Sequence, residues 1–286
     1  MSSKAPPTLL AWAGGIAGVI EAIAVQPLEL VKVRFQLNTG RNTSIISCAR
    51  DIIAEGGVLR LYRGLLPELV GMFPTRSTMY ASNEIAKRFL LREGGKETAI
   101  LAGAAGGFSG VAEAIVVTPF QVIKVRLQSK DHLGRYKNSF DCVSKIFREE
   151  GVGAFGIGMP ATMYRNSVWN AVYFSSMFLM KENFPVQEQS NVKRTTHSLV
   201  TGFIGGVTAT MCNAPFDVIK SRIQGQCPNK VQYSSTLQTL MVIGQTEGFG
   251  ALYKGFTPKA LRMGAGGAVA VTAFEAVCEI AVLMQL

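Results

Sequence analysis

An all-α membrane protein of six transmembrane helices, arranged as three pseudo-symmetric two-helix repeats with a short helix inside each, is the fold class this 286-residue sequence predicts. Three observations predict it. The segments PLELVKVRFQ at 27–36, PFQVIKVRLQ at 119–128 and PFDVIKSRIQ at 215–224 are one phrase, repeated at offsets of 92 and 96 residues. That period is too long for a solenoid, so each copy is one third of a single structure. Each phrase closes a stretch rich in Gly, Ala, Val and Ile that exceeds the ~20 residues a helix needs to cross a bilayer. A second phrase follows each time: EGGVLRLYRG at 55–64, EGVGAFGIG at 150–158 and EGFGALYKG at 247–255.

The first helix of each pair covers residues 8–33, 100–125 and 200–221. Each carries small residues at helical spacing, Gly14 and Gly18, Gly106 and Gly110, Gly202 and Gly206. Such GxxxG pairs let backbones approach where lipid gives no hydrophobic drive for helix association. A polar connection follows, with an amphipathic pattern at 45–54, 139–148 and 235–245. Turn glycines then lead into the second helices, at 67–89, 161–180 and 259–283. Six spans place both termini on one side. The repeats are 1–92, 93–186 and 187–286, joined in one integrated transmembrane domain.

Composition sits between that of an ordinary soluble enzyme and that of a densely lipid-buried protein. Apolar residues make up 48% and charged residues 17%, and mean hydropathy is +0.24. The formal charge is +10. Its basic residues are scattered through loops and helix ends without a dense tail or stacking aromatics, which argues against nucleic acid as a partner. About 17 of the 29 Lys and Arg lie from the motif lysine to the start of the second helix of each pair, so that side faces the more negative compartment. The five cysteines form no CxxC or His-linked cluster, so no disulfide frame, metal site or cofactor is expected. No nucleophile with its base and no phosphate loop is recognisable, which argues against an enzyme. The N-terminal MSSKAPPTLL has no cleavable signal pattern.

The repeated motif carries its own chemistry. Pro27, Pro119 and Pro215 each remove a backbone hydrogen bond and can turn three helix ends toward one axis. Two residues on stand Glu29, Gln121 and Asp217, and three further on Lys32, Lys124 and Lys220, on the same helix face. Ionisable groups at membrane depth require a partner or water.

A threefold pair of spans, each first helix ending in Pro-x-[Asp/Glu]-x-x-Lys and followed by EGxxxLYRG, resembles the mitochondrial carrier family over essentially the whole chain. The phrases EAIVVTPFQVIKVRLQ, ATMYRNSVWNAVYF, NAPFDVIKSRIQG and LYKGFTPKALRMGAGGAV resemble those of its 2-oxodicarboxylate-transporting members. The resemblance implies the mitochondrial carrier fold, the inner mitochondrial membrane, a monomer, and transport without a cofactor. It implies a matrix gate in which the acid of one repeat pairs with the lysine of the next, Glu29 with Lys124 and Asp217 with Lys32. Gln121 departs from the pattern and would meet Lys220 by a hydrogen bond. Gln36, Gln128 and Gln224 would brace the salt bridges from beneath. A cytoplasmic gate is matched only by Glu84, Lys87, Lys181 and Glu275, with Lys87 and Lys181 meeting Glu275 and Glu84.

The resemblance also places Arg165 and Asn166 at a substrate-sorting position, with Arg76 and Arg262 at corresponding levels of the second and sixth spans. Three guanidinium groups around one cavity suit a dianion. Asn170 is a ligand or a packing residue, and Trp169 a packing residue. Glu21 and Glu113 balance the arginines, carry a proton, or serve structure. Anionic lipid, chiefly cardiolipin, is expected at Tyr62-Arg63-Gly64 and Tyr253-Lys254-Gly255, and less at Gly156-Ile157-Gly158. The implied function is exchange of C5–C7 oxodicarboxylates such as 2-oxoadipate and 2-oxoglutarate. Tricarboxylate or other dicarboxylate transport, and a non-exchanging leak or scaffold protein, are the alternatives.

Overall fold

The protein is described by a computed structural model covering residues 7–37, 44–90, 98–184, 191–226 and 233–253, and eleven helical positions between 256 and 277. The first helices of the three pairs are α1 (Pro7–Leu37), α4 (Ala99–Gln128) and α7 (Asn191–Gly225). The second helices are α3 (Leu65–Leu90), α6 (Met159–Asn183) and the C-terminal helical positions. Between them lie the short helices α2 (Ile45–Gly56), α5 (Ser139–Glu149) and α8 (Thr236–Thr246). Each of these is followed by a 3₁₀ turn, Val58–Tyr62, Val152–Gly156 and Phe249–Tyr253. The first helices continue through their prolines to the motif glutamine or beyond, further than the apolar pattern alone predicts. Hydropathy falls at the charged motif while the helix continues, because Glu29, Lys32, Lys124 and Asp217 find charged partners there.

The connections repeat in detail. Ser44, Asn138 and Ser235 cap α2, α5 and α8 by accepting from the backbone N–H three residues on. Gly57, Gly151 and Gly248 then hold φ of 75°, 80° and 80°, a left-handed turn that an L side chain resists. The short helices each bury a position pair, Cys48 and Ile52, Cys142 and Ile146, Thr239 and Ile243. Cys48, Cys142 and Cys212 are free thiols, and Cys227 and Cys278 lie outside the described residues.

Among the described helices, α4 and α6 pack most closely. A Cβ on Gly106 would stand 2.6 Å from the Asn170 carbonyl oxygen, and one on Gly110 2.5 Å from the Asn166 backbone. One member of each pair in the other repeats is looser: Gly18 meets only Met72, at 3.8 Å, and Gly202 has nothing within 4 Å. The identical spacing therefore does different work in each repeat, since the facing helix decides how close the backbones come. Large apolar side chains such as Phe73, Ile100, Phe108 and Phe203 point outward, as a lipid-facing belt requires.

The loop after α4 buries His132 against Tyr136, with ring centroids 5.5 Å apart. Burial, reinforced by Arg126 and Arg135, pushes its imidazole down to about 4. The folded state therefore keeps His132 neutral while an unfolded chain protonates it near pH 6.5. This contribution to stability is complete above about pH 6.5 and is lost as pH falls toward 4. Thermal unfolding in detergent from pH 7.5 to 5 is expected to show a smaller acid-side loss in His132→Gln than in the parent. Separately, Gly110→Leu should lose about 1–3 kcal/mol and several degrees of unfolding midpoint, while Gly202→Ala should unfold close to the parent.

Candidate transport cavity and its charged floor

The ends of α1, α4 and α7 converge, and their motif residues close the floor of a cavity of about 580 Å³. Among the described residues, seven Lys and Arg side chains line it against five Asp and Glu. That is an excess of two positive charges.

Two ion clusters form the floor. In the first, Lys124 Nζ lies 3.3 Å from Glu29 and 2.7 Å from Glu68, while Arg262 lies 3.1 Å from Glu29 and 3.2 Å from Glu68. Two acids thus share two cations across α1, α3, α4 and the C-terminal helix. In the second, Asp217 on α7 pairs with Lys259 and lies 3.4 Å from Arg165. Glu29 and Asp217 are almost wholly buried, so each relies on these partners rather than on water.

The geometry brings Glu29 to Lys124 but not Asp217 to Lys32. Lys259, one residue past the proline that opens the last span, reaches Asp217 first, and Lys32 stands 3.8 Å from Glu29 in its own helix. Gln121 does not hydrogen-bond Lys220 either: its buried Oε1 has no partner. The three glutamines are buried, but their side chains do not touch the ion pairs of the floor. Gln36 Oε1 accepts from Ser221 at 2.8 Å, Gln128 Nε2 donates to the Arg63 carbonyl at 3.0 Å, and Gln224 Nε2 donates to Thr162 at 3.3 Å. Lying one helical turn beyond the lysines, they tie each helix end to the preceding repeat of the ring instead of bracing the charges.

Arg76, Arg165 and Arg262 all line the cavity, as do Glu21 and Glu113. They do not share one level. Arg262 lies four residues and Arg165 five residues past the proline near the start of its helix, whereas Arg76 lies nine past Pro67. At 1.5 Å rise per residue that lifts Arg76 about 7.5 Å above Arg262 along its helix. Arg165 and Arg262 consequently engage the floor acids, and Arg76 has no carboxylate within 4.0 Å among the described residues. Asn170 donates to Glu113 at 3.0 Å and to Ser109 at 3.4 Å, fixing that carboxylate against α6. Asn166 is buried with both amide atoms unpartnered, and Trp169 stacks on Tyr173 with centroids 4.8 Å apart.

At the opposite end, Glu84 is exposed and pairs with Arg88 one turn along its own helix, at 2.9 Å. Lys181 is exposed and forms no ion pair with Glu84, contrary to the expected cross-bundle contact. The nearer Arg88 captures the carboxylate. Lys87 is half-buried, and Glu275 lies outside the described residues. Tyr62, Arg63 and Gly64 line a second cavity of about 390 Å³ with Lys137, Asn138 and Ser139. Tyr253 is exposed, while Lys254 and Gly255 lie outside the described residues.

Sequence reasoning missed two sets of residues. Glu68 and Lys259 each follow a proline at equivalent places in two repeats, a signal overlooked because Ala161 stands there in the third. The other set is a threefold buckle. Arg34 with Glu55, Arg126 with Glu150 and Arg222 with Glu247 each form a two-pronged pair from the end of a first helix to the end of the following short helix. Both members recur in the repeated phrases, the Arg two residues after each motif lysine and the Glu opening each EG.

With this geometry in view, comparison with known proteins fixes the class. The model of the mitochondrial carrier protein family matches residues 3–94, 95–188 and 191–284. The chain belongs to the mitochondrial carrier family, whose members are multi-pass transporters of the inner mitochondrial membrane. A Dictyostelium discoideum protein named "Probable mitochondrial 2-oxodicarboxylate carrier" is 37% identical, covering 93% of this chain and 89% of its own length. Mitochondrial citrate transporter D of Aspergillus niger is 36% identical over 93% of this chain and 92% of its own. Mitochondrial 2-oxodicarboxylate carrier 2 of Saccharomyces cerevisiae is 36% identical over 91% and 90%.

The buckles make a stability prediction. The Arg126 side chain is 1% exposed, so Glu150→Gln leaves a buried cation without its counter-charge. A loss of about 3–5 kcal/mol is expected, read as a lower unfolding midpoint in detergent. Pairing the change with Arg126→Met should recover most of it.

Proposed function

We propose that this carrier exchanges C5–C7 oxodicarboxylates, such as 2-oxoadipate and 2-oxoglutarate, across the inner mitochondrial membrane by alternating access. The observation that carries this reading is the cavity's excess of two positive charges, with three arginines among the lining residues. A dianion neutralises that excess, and guanidinium groups present forks that match carboxylates. Relatives named for 2-oxodicarboxylates on most of their length support the same substrate class.

The floor supports exchange rather than leak. Opening it separates Glu29 and Asp217 from their cations, at a cost of about 3–5 kcal/mol for each uncompensated buried charge. The empty carrier stays shut, and bound substrate offsets the opening by re-pairing the cations it meets. Anionic lipid is proposed to sit in the cavity beside Tyr62, Arg63 and Gly64, where a phosphate meets Arg63 and Lys137.

Reconstituted liposomes loaded with 2-oxoglutarate provide the test. Uptake of labelled 2-oxoadipate is expected, with little uptake of aspartate or ATP and none into empty vesicles. Exchange of citrate but not 2-oxoadipate would transfer the reading to the tricarboxylate class, to which the Aspergillus relative's name points. Uptake into empty vesicles would establish leak or uniport instead.

A further inference from the structure

We infer that Lys220, a motif lysine freed by the glutamine at position 121, is a substrate carboxylate ligand: the transported anion supplies the counter-charge that position 121 lacks. This deepens the oxodicarboxylate reading and rests on it for the substrate class.

Charges within the cavity are unevenly matched. Of the seven cationic side chains lining it, Lys124 and Arg262 share Glu29 and Glu68, Lys259 and Arg165 share Asp217, and Lys32 lies 3.8 Å from Glu29. Among the described residues that leaves two lining cations with no carboxylate within 4.0 Å, Arg76 and Lys220. Lys220 is also 8% exposed, so little water replaces a missing partner. Its surroundings add to the need, since Arg165, Lys32 and Lys124 all act on it as like charges, and the one carboxylate that acts on it favourably, Asp217, pairs directly with Lys259 and Arg165.

The Gln121 side chain lines the same cavity and its buried Oε1 is unpartnered, so the neutral amide neither pairs with the lysine nor fills its place. An anion entering the cavity therefore meets two unpaired cations, Arg76 up the wall and Lys220 at the floor. That number matches a dicarboxylate. Binding there puts a carboxylate among the floor cations, where a side chain stands in the first and third copies of the motif. The substitution at 121 is thus a gain of binding capacity, not only the loss of a gate pair.

Kinetics separate the two consequences. Homo-exchange would be measured in liposomes for Lys220→Gln, Lys220→Arg and Gln121→Glu, using whichever of 2-oxoglutarate, 2-oxoadipate, malate or citrate the parent exchanges fastest. Removing the cation, or giving it a built-in carboxylate through Gln121→Glu, should raise KM about tenfold or more. Lys220→Arg, which keeps the charge, should stay within about threefold of the parent. An unchanged KM with a lowered maximal rate in Gln121→Glu would mean that the new acid merely stiffens the gate, and would overturn the proposal. So would an unchanged KM in Lys220→Gln.

Ligand-induced thermal stabilisation in detergent needs no turnover and covers variants too slow to assay. The parent should be stabilised by 2-oxoglutarate and Gln121→Glu should not; equal stabilisation of both would refute the role of Lys220. If the parent exchanges malate or citrate but no oxodicarboxylate, the substrate assignment fails while the KM comparison on that other anion still decides on Lys220.

Discussion

Charge buried at membrane depth is the constraint on which the rest of this structure depends. A carboxylate such as Glu29 persists there only where cations from other helices surround it, and it has two, Lys124 and Arg262. Satisfying it requires α1, α4 and the C-terminal helix to meet at one point, with α3 contributing Glu68 to balance the second cation. The convergence of the helix ends, the entry of the second helices beside the floor, and the closure of the cavity are consequences of that requirement. Apolar packing alone does not impose it, because lipid tails satisfy an apolar helix surface as well as another helix does.

Around this floor the molecule is symmetric in its connections and asymmetric at the proposed cargo site. The Arg–Glu buckles occur three times, and the turns after the short helices repeat to within a few degrees. The floor is uneven by contrast. One acid is shared through a four-charge cluster, another is held by Lys259 and Arg165, and the third place is an amide. A symmetric floor would neutralise its cations equally and leave no preferred place for an anion. Repetition holds the bundle together, and departures from it create the unpaired cations.

The same side chains serve as floor and as lining. Arg165 and Arg262 face the cavity while engaging Asp217 and Glu29. In the proposed exchange, a substrate carboxylate that approaches either arginine competes with a floor acid for it. Binding and opening are then linked through shared cations and need no longer path through the bundle.

Much of this was legible in the sequence. Spacing alone fixes the three repeats, the order of long and short helices and the register of the motif, because helical periodicity and turn chemistry act over a few residues. The charged residues at the floor were legible for the same reason, since ionisable groups inside apolar spans stand out. Their partners were not. Asp217 takes Lys259 rather than Lys32, the glutamines bond to neighbouring turns, and Arg76 stands above Arg262, because pairing depends on how far each second helix has risen where it passes the first. The close approach at Gly106 and Gly110, absent at Gly202, has the same origin. Local sequence determines which groups are presented; the packing of helices from different repeats decides which of them meet.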